Sequence, residues 1–599
     1  MMINDLCKIG TYNPMKFIKL AQLFSKLEGT TKRLEMTDLL SEFFKEITES
    51  KNYNDLDKIV YLLQGQLVSN IKQIPKFGLA EKMIIEALSV HSGTDKPKIK
   101  EILVKKGDVG AAAEVILSKK KKQTSLTDFG RSDAVKYKSL EITDLYSELM
   151  KIAKTEGAGS HDIKLGILRG LMGTLSPLEN KYLLRIITST LRVGVSTQTI
   201  LDGLALGFTG LKENRDIIER AFNLHPDLGD VTIILAEKGI DEVKKIKISY
   251  GTPIRMMLAS RIPYPEIISK LGSPFTAEYK LDGERLQIHK QNGNILLFSR
   301  RLLDISEQYP DVCETIIQNT KAKSIIMEGE VVAMDPFYEK MLPFQVLSKR
   351  RRVHDIEDVV KEVPVSVFLF DLLMCENESY IDKPLPERRE KLEEVIVEKD
   401  DLRLVKSVSI NSTDELLDFF NMARKEGTEG IMAKSVKKSS LYQAGNRGFL
   451  WLKLKGLEGG KLKDSVDVAL IGAFYGRGRR KGVYGTYIGA VYNPKNDSFE
   501  AFTRVASGLT DEIMETLMKD MKQYEINAKP KHIQCEDTPD VWFKPEVVIE
   551  IIGDEITVSE KFFSLGYSMR FPVFQRLRPE KGPKDITTVK EIKQLYETQ

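Results

Sequence analysis

The chain has 599 residues, too many for a single domain at roughly 100–200 residues per folding unit. Hydrophobic residues make up 42% and aromatics 8%, enough to bury real cores, which excludes wholesale disorder and fibrous repeats. Lys and Arg total 90 against 86 Asp and Glu, so the net charge of +4 says little about partners and any basic surface must be local.

Up to about residue 245 the apolar residues recur at helical spacing between polar breaks such as GTDKPK and EGAGS. Ser176-Pro177-Leu178-Glu179 reads as an N-cap serine, a proline at the first helical position and a glutamate three residues on, which starts a helix at Pro177. Gly194 stands where a left-handed cap would end it, so the helix is expected to run to about Val193. Leu178, Tyr182, Leu183, Ile186, Ile187 and Leu191 form its buried stripe, leaving Lys181, Arg185 and Arg192 to faces that meet phosphate or water. Gly157-Ala158-Gly159-Ser160 would let backbone amides approach a phosphate, or simply end a helix. Four cysteines, Cys7, Cys313, Cys375 and Cys535, lie far apart without a CxxC pair, which argues against a zinc ribbon or a disulfide framework. The start lacks an apolar signal core and no window approaches 18 continuous apolar residues, so an intracellular protein is expected, cytoplasmic or, in a eukaryote, nuclear.

From about 250 the pattern shifts to short alternating runs. ERLQIHK, QNGN and ILLFSR read as a β-hairpin. After about 458, VDVALIGAFYG and GTYIGAVYN flank the basic turn Arg477-Gly478-Arg479-Arg480-Lys481-Gly482, and short strands continue to a Lys/Arg-rich end, as in a small barrel. The turn either touches nucleic-acid backbone or is solvated; with no helix following it, a nucleotide P-loop is disfavoured. His289, among six scattered histidines, reads as structural or surface rather than as a ligand.

The chemistry-bearing segment is Glu278-Tyr279-Lys280-Leu281-Asp282-Gly283-Glu284-Arg285. On a strand, Glu278, Lys280 and Asp282 share one face while Tyr279 and Leu281 turn to the core. A lysine so presented is a nucleophile if its environment brings its pKa below the ~10.4 of a free side chain, and otherwise a salt-bridged strand end. In Ser324 to Val332, alternation places Glu328 and Glu330 together on a half-buried face, a costly pair that calls for Mg²⁺ or a ribose. Trp451-Leu452-Lys453-Leu454-Lys455 aligns two ammonium groups suited to a polyphosphate. Glu429 to Lys434 places another carboxylate and lysine around an apolar run, and Phe370 either stacks on a base or fills the core.

KLDGER, FSRR, EGEVVAMD, FLFDLL, EGIMAKS, WLKLK and RFPVFQRLRPEK follow the order of the nucleotidyltransferase motifs of ATP-dependent DNA ligases, and the match is nearest the replicative type of archaea and eukaryotes. The segment SPLENKYLLRIITSTLRVGVSTQTILDGLA resembles that family's helical DNA-binding domain. The resemblance implies a helical DNA-binding domain over 1–245, an α+β adenylation domain over 246–458 and an all-β OB-fold domain over 459–599. It implies that Lys280 attacks the α-phosphate of ATP, that Glu278 reads adenine and that Phe370 stacks on it. Arg285 and Arg300 would hold the nucleotide phosphate and the 5′-phosphate of the nick, Lys453 and Lys455 the α-phosphate. Glu330 and Glu429 would contact ribose and Mg²⁺, and Arg570, Arg576, Arg578 and Lys581 would close over the departing pyrophosphate. Met256, Val573 and Glu580 depart from the family pattern without removing a catalytic group.

The implied activity is ATP- and Mg²⁺-dependent sealing of nicked duplex DNA in replication, repair and recombination, by a monomer. Gln123, Leu126 and Phe129 form a Q-x-x-L-x-x-F pattern resembling sliding-clamp binding peptides, although Gly130 replaces the usual second aromatic. An mRNA capping guanylyltransferase or an RNA ligase would share the lysine chemistry but not the long helical N-terminal region. A noncatalytic scaffold is disfavoured by the intact Lys280, Glu330, Glu429 and Lys453, and an NAD-dependent ligase by the missing four-cysteine zinc module.

Overall fold

The computed structural model describes residues 14–74, 76–119, 137–262, 264–351, 356–455, 465–559 and 564–598. Gln123, Leu126 and Phe129 lie outside them. Chain contacts gather the described residues into two compact units, one within Met1–Gly78, Leu140–Glu156 and Val193–Leu457, the other within Leu79–Ser139, Gly157–Arg192 and Glu458–Gln599. The helical region thus contributes to both. Among the described residues, no helix is long and apolar enough to cross a membrane.

In the first unit, helices Arg33–Ser50 and Thr197–Thr209 cross closely because Gly203 and Gly207, one turn apart, leave room for Leu40 and Phe44. A Cβ at either glycine would come within 2.6 Å or 2.5 Å of those side chains. The same unit holds two sheets. A five-stranded sheet runs in the order Leu258–Arg261, Arg447–Leu454, Gly430–Ser435, Phe275–Lys280, Ser407–Ile410. A six-stranded sheet is built on Glu284–Gln291, Ser324–Ala333 and Val365–Cys375. The expected hairpin is present: Glu284–Gln291 pairs with Asn294–Ser299 through Asn292 and Gly293, both at positive φ (50° and 89°), as a two-residue turn of matching twist requires.

In the second unit, Pro177 starts a helix whose capping box is complete: the Glu179 amide donates to Ser176 Oγ and the Ser176 amide to Glu179 Oε2. The helix stops at Ile187, short of Val193, because the chain turns through positive φ at Ser189 and Arg192 before Gly194 does the same. Arg185 does not face phosphate or water. It is buried, and it donates to both carboxylate oxygens of Asp108 at 3.0 and 2.8 Å. Leu178, expected in the stripe, is half-buried.

The C-terminal β domain is built around Val466–Tyr475, Tyr484–Asn493 and Ser498–Val505. Both faces of its central strands are covered: Val466, Val468 and Leu470 enter a core shared with helices Asp511–Met521 and Val589–Thr598, and Ala469 and Ile471 a smaller one. That explains the nearly unbroken apolar run VDVALIGAFY. The basic turn packs on helices of its own unit, its Gly478 amide donating to the Gly107 carbonyl at 3.3 Å and Arg477 pairing with Glu81 at 3.4 Å.

Candidate active site

Strand register assembles one face of the five-stranded sheet. Gly430 lies opposite Lys280 and Met432 opposite Glu278, while on the other side of the same strand Met432 faces Lys453 and Lys434 faces Trp451. Residues opposite one another across a ladder share a face. Lys280, Glu278, Met432, Lys434, Trp451 and Lys453 are therefore coplanar neighbours, and Tyr279, Ile431, Ala433, Leu452 and Leu454 fill the core behind them. The alternation read from the sequence holds across three strands for 278–280 and 451–454, and the strands end before Leu281, Asp282 and Lys455. Gly283 follows at the strand end, where a Cβ would stand 2.2 Å from the Val331 carbonyl oxygen.

Glu429, just before its strand, is where the cations meet. Its Oε2 is 2.6 Å from Lys280 Nζ and 2.7 Å from Lys455 Nζ. Burial works against the charge on Glu429, but these two ammonium groups hold its carboxyl well below the usual range. Lys453 is shifted down by burial and by the charges of Lys455 and Lys280. Arg300, exposed in the turn after Asn294–Ser299, adds to the same positive field.

The six-stranded sheet supplies the other wall. Arg285 lies opposite Glu330 and Gln287 opposite Glu328. Glu328 and Glu330 do share a face, but they are not equivalent. Glu328 is fully buried and accepts from Arg285 Nη2 at 2.8 Å, from Tyr442 Oη at 2.9 Å and from Gln287 Nε2 at 3.4 Å. It therefore needs neither metal nor ribose, contrary to the expectation for the pair. Glu330 has no such cage. Burial pushes its carboxyl up to about 7 against the pull of Lys280 and Arg285, and the charges of Glu429 and Asp282 push the same way as burial.

Arg285 also donates from Nη1 to the Met257 carbonyl at 2.8 Å, while its buried Nε has no partner. Its guanidinium lies 5.2 Å from the centroid of Phe370 and 5.6 Å from that of Trp451, so the two sheets meet around it. Phe370 and Trp451 pack edge to face at 6.3 Å. Glu278 pairs with Lys434 at 2.5 Å and stands 3.9 Å from Arg389. Sequence reasoning left Tyr442 and Arg389 unnamed. They come from a loop and from helix Leu385–Val395, and nothing local in the sequence marks them.

The structure thus brings together Glu278, Lys280, Arg285, Glu330, Phe370, Glu429, Lys453 and Lys455. Arg576 and Lys581 belong to the second unit, where Glu550 holds Arg576 at 2.5 Å and Asp467 holds Lys581 at 2.6 Å. Arg578 pairs with Asp467 and Glu580, and Arg570 with Glu555. His289 is buried. Its Nδ1 accepts from the Gly251 amide at 3.1 Å, which leaves Nε2 to donate to Gln287 Oε1 at 3.0 Å. Burial pushes its pKa down to about 3, so it is a neutral structural group.

A lysine ringed by cations and facing two carboxylates is the arrangement of nucleotidyl transfer, and comparison with known proteins decides which kind. Residues 256–455 match the family model described as "ATP dependent DNA ligase domain", residues 16–205 "DNA ligase N terminus" and residues 480–581 "ATP dependent DNA ligase C terminal region". A DNA ligase of Sulfurisphaera tokodaii is 42% identical over 591 residues, covering 97% of each chain. One of Hyperthermus butylicus is 43% identical over 597 residues, covering 98% of each.

The chain belongs to the ATP-dependent DNA ligases. It is an adenylate-forming enzyme that seals nicks in DNA, with ATP and a divalent metal such as Mg²⁺. The solved structure titled "Pmar-Lig_Pre." shares the fold, with a TM-score of 0.57 at 15% identity over 93% of this chain and 99% of that one. The site of this ligase suits a divalent cation: the charge of Glu429 adds to burial in disfavouring the charged form of Glu330, and a divalent cation held by the two carboxylates would lower that cost.

Proposed function

We propose that Lys280 is the nucleophile of the ligase and that the cluster around it divides the work of nucleotidyl transfer. The Lys280 amine attacks the α-phosphorus of ATP; a P–N bond forms, the bond to the pyrophosphate oxygen breaks, and the amine loses its proton. AMP then passes to the 5′-phosphate of the nick, and attack by the adjacent 3′-hydroxyl forms the phosphodiester and expels AMP. The observation that carries this reading is the shared contact of Lys280 and Lys455 with Glu429, which keeps the nucleophile among phosphate-binding cations on one sheet face.

Glu278 reads the adenine edge, Phe370 stacks on the base, and Arg285, whose Nε is unsatisfied, and Arg300 bind phosphate. Lys453 and Lys455 neutralise the α-phosphate, and Arg576 and Lys581 close over the pyrophosphate. Glu330 and Glu429 would hold the divalent metal, which when bound supplies neutralisation of the phosphate charge. The domains divide at 1–245, 246–458 and 459–599. The ligase works as a cytoplasmic monomer, and Gln123, Leu126 and Phe129 fold into an apolar groove of a sliding clamp.

Incubation with Mg²⁺ and α-labelled ATP or GTP, a denaturing gel and a chase with nicked DNA test the core of the reading. Label from ATP that needs Lys280 and leaves as DNA nicks are sealed supports it; label retained by Lys280→Ala overturns it. Leu126→Ala/Phe129→Ala, titrated against the clamp, tests the docking peptide: unchanged affinity removes it. Sedimentation equilibrium tests the monomer.

A further inference from the structure

Lys434 presents a buried ammonium that the reaction scheme above does not use. Its side chain is 1% exposed, and it is paired at 2.5 Å with Glu278, itself 3% exposed. In the ladder Glu278 faces Met432, so Lys434 reaches it diagonally from one pair further along. The Nζ also donates to the Phe370 carbonyl at 3.5 Å, and lies 4.8 Å from the Phe370 ring centroid and 4.3 Å from that of Trp451. Every face of the ammonium is occupied by protein, so none is left for a nucleotide. A buried ion pair kept only for stability is commonly matched or bettered by apolar residues of similar volume. The groups that Lys434 ties together are the edge reader, on one sheet, and the stacking ring, on the other.

Resting on the assignment of Glu278 to the adenine edge, we infer that Lys434 is a positioning residue that sets base specificity. By binding one oxygen of Glu278 it presents the carboxylate as a pure hydrogen-bond acceptor, while its contacts with Phe370 fix the ring at the matching height. Adenine offers an exocyclic amine at that edge and guanine a carbonyl, so an acceptor held rigidly admits the first and repels the second. Without Lys434 the carboxylate is no longer held in one orientation, and a loosened acceptor discriminates less sharply between the two base edges.

The test measures enzyme adenylation and guanylylation in full-length Lys434→Met, Glu278→Gln and the double variant, with ATP and GTP as probes. Lys434→Met is expected to raise the KM for ATP about tenfold and to lower the ATP:GTP ratio of kcat/KM by about tenfold or more, as expected for loss of one oriented polar contact. In the Glu278→Gln background the same change is expected to do nothing further. Equal losses for both nucleotides, or an undiminished effect in that background, overturn the inference. If Lys434→Met does not fold, the double variant, which removes both partners, decides: a ratio and KM equal to those of Glu278→Gln support the coupling, and different ones overturn it. A Glu278→Gln enzyme with unchanged selectivity would sink the adenine-edge assignment itself.

Discussion

Glu429 Oε2 stands 2.6 Å from Lys280 Nζ and 2.7 Å from Lys455 Nζ, so one carboxylate oxygen spans the proposed nucleophile and a second lysine proposed to bind phosphate. The ion pair tethers Lys280, and under the proposed roles it would open when a triphosphate and a metal compete for the same charges. On the proposed assignment Glu429 would serve as both tether and ligand.

Glu429→Gln preserves the shape and removes the charge. Charging with ATP should slow about 10–100-fold, with half-saturating Mg²⁺ moving upward, as for loss of a metal-orienting group. Labelled-adenylate formation across a Mg²⁺ titration measures both; an unmoved Mg²⁺ midpoint would assign Glu429 to the tether alone.

Glu330 carries a cost in the ligand-free protein. Burial lifts its carboxyl to about 7, above the ordinary 4.5, so the unfolded chain releases that proton first and stability falls as pH rises from 4.5 to 7. Discounted for partial exposure, the cost above pH 7 is about 1–2 kcal/mol. Glu330→Gln should thus be the more stable protein at pH 8 in chelator, with the difference gone near pH 4.5. Thermal unfolding at the two pH values checks this, and a less stable variant at pH 8 would refute it.

Arg388 and Asp371 form a pair at 2.7 and 2.9 Å with no exposure on either side chain. Arg388 also donates to the carbonyls of Lys383 and Ser440. Asp371→Ala leaves that guanidinium buried without its counter-charge and should cost about 3–5 kcal/mol, read as a lowered denaturation midpoint. Replacing Arg388 and Asp371 together by apolar residues should recover much of the loss.

His289 is held neutral, with a folded pKa near 3 against 6.5 for the free group. The unfolded chain takes up the proton first, so its contribution is present above pH 6.5 and is lost as pH falls toward 3, by about 1.4 kcal/mol per pH unit. His289→Asn should flatten the fall in stability between pH 6.5 and 5 relative to the parent protein. Equal slopes in chemical denaturation at several pH values would rule out His289 as a source.

Much of this was legible because it is local. The capping box at Ser176–Glu179, the two-residue turn at Asn292-Gly293 and the facing of Glu278 with Lys280 follow from spacing along a few residues, and strand alternation carries the same face across neighbouring strands. The order of the motifs likewise pointed to the family before any geometry did. The end of the Pro177 helix was not legible, because Gly194 is a good cap that the chain reaches only after already turning at Ser189.

Tertiary structure alone separated residues that the sequence presents as alike. Arg185 and Arg192 both follow the same helix start, yet Arg185 is buried by Asp108, 77 positions away. Glu328 and Glu330 share one strand and one face, yet Tyr442, 114 positions on, helps to cage Glu328 and leaves Glu330 without that cage. Periodicity is a property of neighbouring residues and can be read from them, and it determined which way each side chain points. Whether that side chain meets a partner, a core or a substrate depends on segments brought close only by folding, and that decided which charges are available for catalysis.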